Sequence, residues 1–219
     1  MFSVFSVLLC MLSGNFFGNQ NREFLIITEF CIYENLPEFD EGWFGIFETD
    51  SGDILRKVSF ELRESSYQPE EGERPEPVFI EFLDEPERPK LIIASSVFQF
   101  REGYIQRAVI ERSELEVDDA LKLTAPGLAD IGVLSTEIGL SITDGETVQI
   151  LTETFREDST GKSISLEWAG DLDRDGSIDL IINDIDDPYN RFCFKLYLSS
   201  EAEEGTLVEE VASFYDVFF

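Results

Sequence analysis

Three runs in the last third of the chain alternate apolar and polar residues with a period of two, and no feature constrains the fold more. In Ser163–Trp168, Ile164, Leu166 and Trp168 fall on one side and Ser163, Ser165 and Glu167 on the other. Ile178, Leu180 and Ile182 repeat the pattern, as do Phe192, Phe194, Leu196 and Leu198 with Arg191, Cys193 and Lys195 opposite. Successive side chains of a strand point to opposite faces, so this period predicts sheet strands with one face in a core.

Earlier stretches carry the same signal in shorter pieces. Phe24–Tyr33, Trp43–Glu48, Ile54–Leu62, Val78–Leu83 and Leu91–Phe100 are rich in β-branched and aromatic residues, which suit strands. Asp50-Ser51-Gly52-Asp53 reads as a turn, and Ser65–Pro77 and Asp84–Pro89 as exposed loops. Ile138–Thr143 and Thr147–Thr152 flank Asp144-Gly145, a pair suited to a tight hairpin turn. Helix competes only over Arg112–Leu123, where Ser113 can cap a thin apolar face of Leu115, Ala120 and Leu121. The tail Leu207–Phe219 fits a strand or a short helix. The expectation is a mainly β protein, an antiparallel sandwich or barrel-like domain over residues 20–219. Two β subdomains dividing near 105–125 are the alternative.

The length of 219 residues is ample for a hydrophobic core. With 16 Lys and Arg against 46 Asp and Glu, the formal charge is −30. Such a surface repels phosphate backbones and anionic membrane surfaces, so neither nucleic acid nor such a membrane is an expected partner. The chain has no histidine, which removes Ser-His-Asp and Cys-His catalysis and every His-containing metal site. Residues 1–18 are uncharged and dominated by Phe, Val and Leu, with small residues at Ser13 and Gly14. Residues 1–19 therefore read as a signal peptide, although no Lys or Arg precedes the apolar run. Export to a periplasmic or extracellular location follows from that reading. Lipid modification of Cys10 is a lesser alternative, since Leu9 is larger than such sites usually accept. With Cys10 in a removed leader, Cys31 and Cys193 remain, as one disulfide or as two separate buried thiols.

Chemistry concentrates in Trp168–Asp184, WAGDLDRDGSIDLIIND. Asp171, Asp173, Asp175 and Asp179 occupy positions one, three, five and nine of a DxDxDGxxD loop. Calcium takes about six to eight oxygens in a flexible geometry, and aspartates at every second residue of a curling backbone can converge on it. Gly176 permits the left-handed conformation that such a curl needs. Ser177 would add its backbone carbonyl, and Asp179 would close the shell from the start of the next strand. Crowded carboxylates without a cation raise one another's pKa, which also favours an ion. Magnesium demands stricter octahedral geometry and suits the loop less well. An acidic turn holding no metal is the alternative.

Position twelve is Ile182, where an EF-hand has a bidentate Glu, and the flanks have strand rather than helix periodicity. The loop resembles those of FG-GAP repeats and of the related VCBS repeat proteins. The wider pattern, with Tyr189-Asn190, Leu196–Ser200 (LYLSS) and Leu207–Phe214 (LVEEVASF), is similar to a group of exported bacterial proteins with a single such loop. The resemblance covers about fifty residues at the C-terminal end. It implies calcium binding and export, and it implies no activity. A single loop argues against a full propeller, whose blades come about four to eight together.

These observations support a calcium-binding exported protein in which calcium stabilises a β-hairpin. The first alternative is a calcium-dependent binding or adhesion module for a glycan or envelope protein, with Tyr189 as a contact residue. A carboxylate-based hydrolase is the second, and an enzyme is not expected. There is no phosphate loop, nucleophile elbow or HExxH, and among 46 acids no pair of carboxylates stands out.

Overall fold

A computed structural model describes residues 24–27, 42–63, 79–83, 88–95, 99–137, 139–153, 163–186 and 191–217. These residues form an antiparallel all-β protein without a helix. The strands are β1 (Phe24–Ile27), β2 (Trp43–Thr49), β3 (Gly52–Val58), β4 (Phe60–Arg63), β5 (Phe79–Phe82), β6 (Leu91–Ser95), β7 (Gly103–Arg107) and β8 (Glu114–Leu115). They continue as β9 (Ala120–Leu123), β10 (Ile131–Thr136), β11 (Gly139–Thr143), β12 (Val148–Glu153), β13 (Ser163–Asp171), β14 (Asp179–Asp186), β15 (Arg191–Leu198) and β16 (Glu209–Val217). Residues 1–19 with Cys10, the residues around Cys31, most of the loops at 65–77 and 84–89, and Tyr189 lie outside the described residues.

One ten-stranded sheet runs β1-β6-β2-β3-β7-β13-β14-β15-β16, with β8 paired beside β13. Its two ends, β1 and β16, approach each other, so the sheet curls into a half-barrel. It is not a closed propeller. β7 pairs with β3 on one side and β13 on the other, so the sheet is continuous through residues 103–107. A second sheet, β12-β11-β10-β9, packs on the outer face of β13 and β14, and β4 pairs with β5.

Two apolar cores result. The first fills the inside of the curl with Phe44, Ile46, Leu55, Ile93, Ile105 and Trp168, joined by Ile181, Phe194 and Leu196. The second lies between the sheets and holds Leu123, Val133, Leu140, Ile142, Ile164, Leu166, Leu180 and Ile182. β14 is therefore buried on both faces, with Leu180 and Ile182 in one core and Ile181 in the other. The expectation of one buried face is corrected here, because a strand shared by two cores has no solvent side.

The placement of Trp168 on the face of Ile164 and Leu166 is corrected as well. The β13–β14 register shifts between Leu166 and Trp168, so Glu167 is an extra residue. This bulge turns the indole into the first core while Ile164 and Leu166 stay in the second. There Trp168 is fully buried and its Nε1–H donates to Asp53 Oδ2 at 2.8 Å. Burial raises the pKa of Asp53, against the lowering effects of that hydrogen bond and of Arg107, whose Nη1 lies 3.3 Å from Asp53 Oδ1.

The competing helix over 112–123 does not form. Asp118 takes a left-handed φ of 68°, and the Asp119 carboxylate accepts the Glu116 N–H at 2.7 Å, making a turn between β8 and β9. Burial of Leu115 and Leu123 in the second core outweighs the thin helical face. Within the tail, Glu209–Val217 form strand β16, paired with β15. The Asp144-Gly145 hairpin joins β11 to β12, with Gly145 at φ 98°.

The seam between β7 and β13 depends on Gly170. A Cβ there would sit 2.1 Å from the Gln106 carbonyl oxygen and 2.9 Å from the Trp168 ring. Gly170→Ala must push the two strands apart, and a loss of about 1–3 kcal/mol or more is expected, read as a lower urea midpoint with an unchanged slope.

Candidate metal centre

β13 ends on Asp171 and β14 begins on Asp179, with Gly170 paired to Asp179, so the two outer aspartates are fixed by the sheet itself. The seven residues between them are pinned at both ends: Leu172 is buried in the first core and Ile178 in the second. The chain must then curl tightly, and it does so with Arg174 at φ 68° and Gly176 at φ 90°. No atom lies within 4 Å of where a Cβ on Gly176 would stand, so glycine answers a conformational need there rather than a shortage of space.

The carboxylates themselves build the curl. Asp171 Oδ2 accepts the Gly176 N–H at 3.1 Å, Asp173 Oδ1 the Asp175 N–H at 3.0 Å, and Asp175 Oδ1 the Ser177 N–H at 2.8 Å. Asp179 Oδ2 accepts the N–H groups of Leu172 at 2.8 Å and Asp173 at 3.4 Å. Reaching out of the loop, the Arg174 guanidinium donates to the Arg101 carbonyl at 2.9 Å and ties the curl to the residues before β7.

Asp171, Asp173 and Asp179 come together, each offering one oxygen, with the three oxygens within 4.8 Å of one another. This group can hold a metal ion. Asp175 lies outside it and is exposed, as is Ser177, whose N–H is turned to Asp175. Asp179 is fully buried and Asp171 is 9% exposed. The Oδ1 of Asp171 is buried without a hydrogen-bond partner, an expensive state for a carboxylate oxygen unless a cation meets it.

Two residues that the loop spacing does not reveal belong to the centre. Ser199, just after β15, donates its N–H to Asp179 Oδ1 at 2.9 Å, and its hydroxyl lies 2.9 Å from the same oxygen. That hydroxyl is also 3.3 Å from each oxygen of Asp175. The Ser200 hydroxyl donates to Asp173 Oδ2. The signal available in the sequence is the Ser199-Ser200 pair closing an alternating strand, but nothing there says which loop the pair meets.

Burial is the main cause of a raised pKa at Asp171, with Asp175 and Asp173 adding to it and the Gly176 N–H opposing. Burial likewise pushes Asp179 up to about 7 from an ordinary 3.8, against the N–H of Ser199. Carboxyls that hold protons more tightly folded than unfolded stabilise the fold fully at low pH. They lose that contribution as pH rises through the folded value. For Asp179 the window runs from 3.8 to about 7. Metal-stripped protein is thus expected to melt at a lower temperature at pH 7.5 than at pH 5, by differential scanning calorimetry, and a rise across that interval contradicts the assignment.

No family model matches the chain, and neither a curated protein nor a solved structure matches it.

Proposed function

We propose that the loop from Asp171 to Asp179 binds one calcium ion, which holds the β13–β14 hairpin and the start of the Ser199 loop together in an exported protein. The buried, unpartnered Oδ1 of Asp171 beside two further carboxylates carries the reading. Ser199 adds to it. A hydroxyl has one hydrogen, yet three carboxylate oxygens from Asp175 and Asp179 lie within 3.3 Å of this one. A cation relieves the repulsion that remains.

Every donor in reach is a hard oxygen, which suits calcium or magnesium and not a soft metal. The flexible set of carboxylates on one loop favours calcium, which tolerates irregular coordination. The spacing and the resemblance to FG-GAP and VCBS loops support the same ion. Asp171, Asp173 and Asp179 would supply the primary oxygens, with Asp175 and the Ser177 carbonyl as further ligands. The uncharged leader at residues 1–19 is the support for export. The role of the ion in this reading is stabilisation, and no catalytic step is assigned.

Binding to the folded state alone adds RT ln(1 + [L]/Kd), about 2.7 kcal/mol when free calcium is a hundredfold above Kd. For a chain of this length that is a rise of roughly 5–10 °C in Tm. Calcium should produce it and equimolar magnesium should not. Asp173→Ala should abolish the rise while leaving the Tm of the metal-stripped protein nearly unchanged. Identical melts with calcium, magnesium and no metal would refute the site.

Calcium must also displace the proton that Asp179 holds below about 7. Calorimetric titrations in buffers of different ionisation enthalpy are therefore expected to show proton release at pH 6.5 and very little at pH 8.5. The affinity should rise between the two.

A further inference from the structure

Beside the metal loop, between it and the four-stranded sheet, lies a cavity of about 260 Å³. Ile131, Ile142 and Leu180 line it from the sheets, Ile178 from the end of the acidic loop, and Leu207 and Val208 from the segment before β16. Ser177 and Ser199 also line it, so it shares residues with the metal centre without containing the carboxylates of the three-aspartate group.

The charged residues in the segments that line this apolar space, 129–131, 142–147, 175–180 and 199–208, are all acidic. Asp144 lines it and Glu146 follows on the same turn, both exposed. The N–H groups of Thr147 and Glu146 hold the Asp144 carboxyl below its ordinary pKa, so it stays ionised. Asp175 stands exposed two residues before Ser177, and the 199–208 segment adds Glu201, Glu203 and Glu204, all exposed. No Lys or Arg occurs in 129–131, 142–147, 175–180 or 199–208, the stretches that surround the space. Lys122 pairs with Asp130 at 2.6 Å.

An occupant must therefore combine an apolar stem with a cationic head, as lysine and arginine side chains do. Six exposed acids besides Asp130 exceed what one cation can offset, and the two charges of a bound calcium do not reverse the sign. We propose that the cavity is the docking site for a basic segment of a partner polypeptide, which inserts one lysine or arginine along the apolar walls and sets its other cations against the acidic rim. This goes beyond the metal reading and does not depend on it.

The test uses the full chain in calcium at about 150 mM salt, where exposed charges more than about 8 Å apart are screened. The probe is a capped peptide of three lysines alternating with glycines, with the glutamate counterpart as control. Amide shifts at Ser177, Thr206 and Val208 are expected with the lysine peptide and none with the glutamate peptide. Ala202→Trp sets a bulky ring on the cavity lining without altering charge and should weaken binding roughly tenfold, which corresponds to about 1.4 kcal/mol. If that variant shows a lowered melt, Ala129→Trp, at another residue of the lining, replaces it. Glu203→Gln with Glu204→Gln should weaken binding and flatten its salt dependence. Undiminished binding to the filled variant, or shifts spread over the whole acidic surface, would mean non-specific attraction and overturn the proposal. So would an absence of binding in calcium while the calcium-dependent melt is intact, an outcome that leaves the metal reading standing.

Discussion

The structure depends on the division of β13 between two cores. A regular strand would give all of its alternating apolar residues to one side. The extra residue at Glu167 changes the phase, so Ile164 and Leu166 serve the core between the sheets and Trp168 serves the core inside the curl. The indole then meets Asp53, a residue 115 positions away, through the only polar atom on its ring. That contact ties the β2–β3 hairpin to the β13–β14 hairpin. Gly170 lets β7 come close enough to close the seam between them. The acidic loop begins one residue later, so its starting point is set by packing rather than by its own charges.

The loop has to reconcile burial with charge. Leu172 and Ile178 are drawn into opposite cores, and this carries Asp179 out of solvent with them. Four polar hydrogens, from Leu172, Asp173 and twice from Ser199, compensate its two oxygens, and still the balance leaves its pKa near 7. Hydrogen bonds from neutral donors reduce the cost of a buried carboxylate without cancelling it, whereas a divalent cation contributes charge as well as contact. Asp171 has less compensation: the Gly176 N–H meets Oδ2, the Arg174 N–H also favours the charged form, and Oδ1 has no hydrogen-bond partner. Both carboxyls therefore resist ionisation in the folded protein for a reason that a cation would remove.

Much of this was legible in the sequence. The strands of the last third, the Asp144-Gly145 hairpin, the antiparallel β class and the left-handed turn at Gly176 all follow from local pattern and local conformation. What local pattern does not carry is the second core. Ile181 breaks the alternation of Ile178, Leu180 and Ile182, and this is the mark of a strand buried on both sides, but a single apolar residue out of phase is easily discounted. The side of Trp168 depends on a bulge, and a bulge is invisible to a period-two count. At 112–123 the helical face was three residues wide, and the turn chemistry of Asp118 and Asp119 was the better guide. Ser199 is a distant case, because only the β14–β15 pairing brings it to the loop.

That pairing decides whether the serines reach the loop at all. Leu180 lies opposite Tyr197 and Ile181 opposite Leu196, so the antiparallel register carries Ser199 to the loop end of β14. A slip of one residue would turn every side chain of β15 to the other face. Leu196 would leave the first core, and Tyr197 would lose the second, where its hydroxyl donates to the Leu151 carbonyl at 2.8 Å. A register enforced by two cores at once is much harder to slip than one enforced by a single buried face. The acidic loop thus receives its serine partners without any specificity of its own, because hydrophobic burial on both sides of β14 and β15 has already fixed where the strand ends.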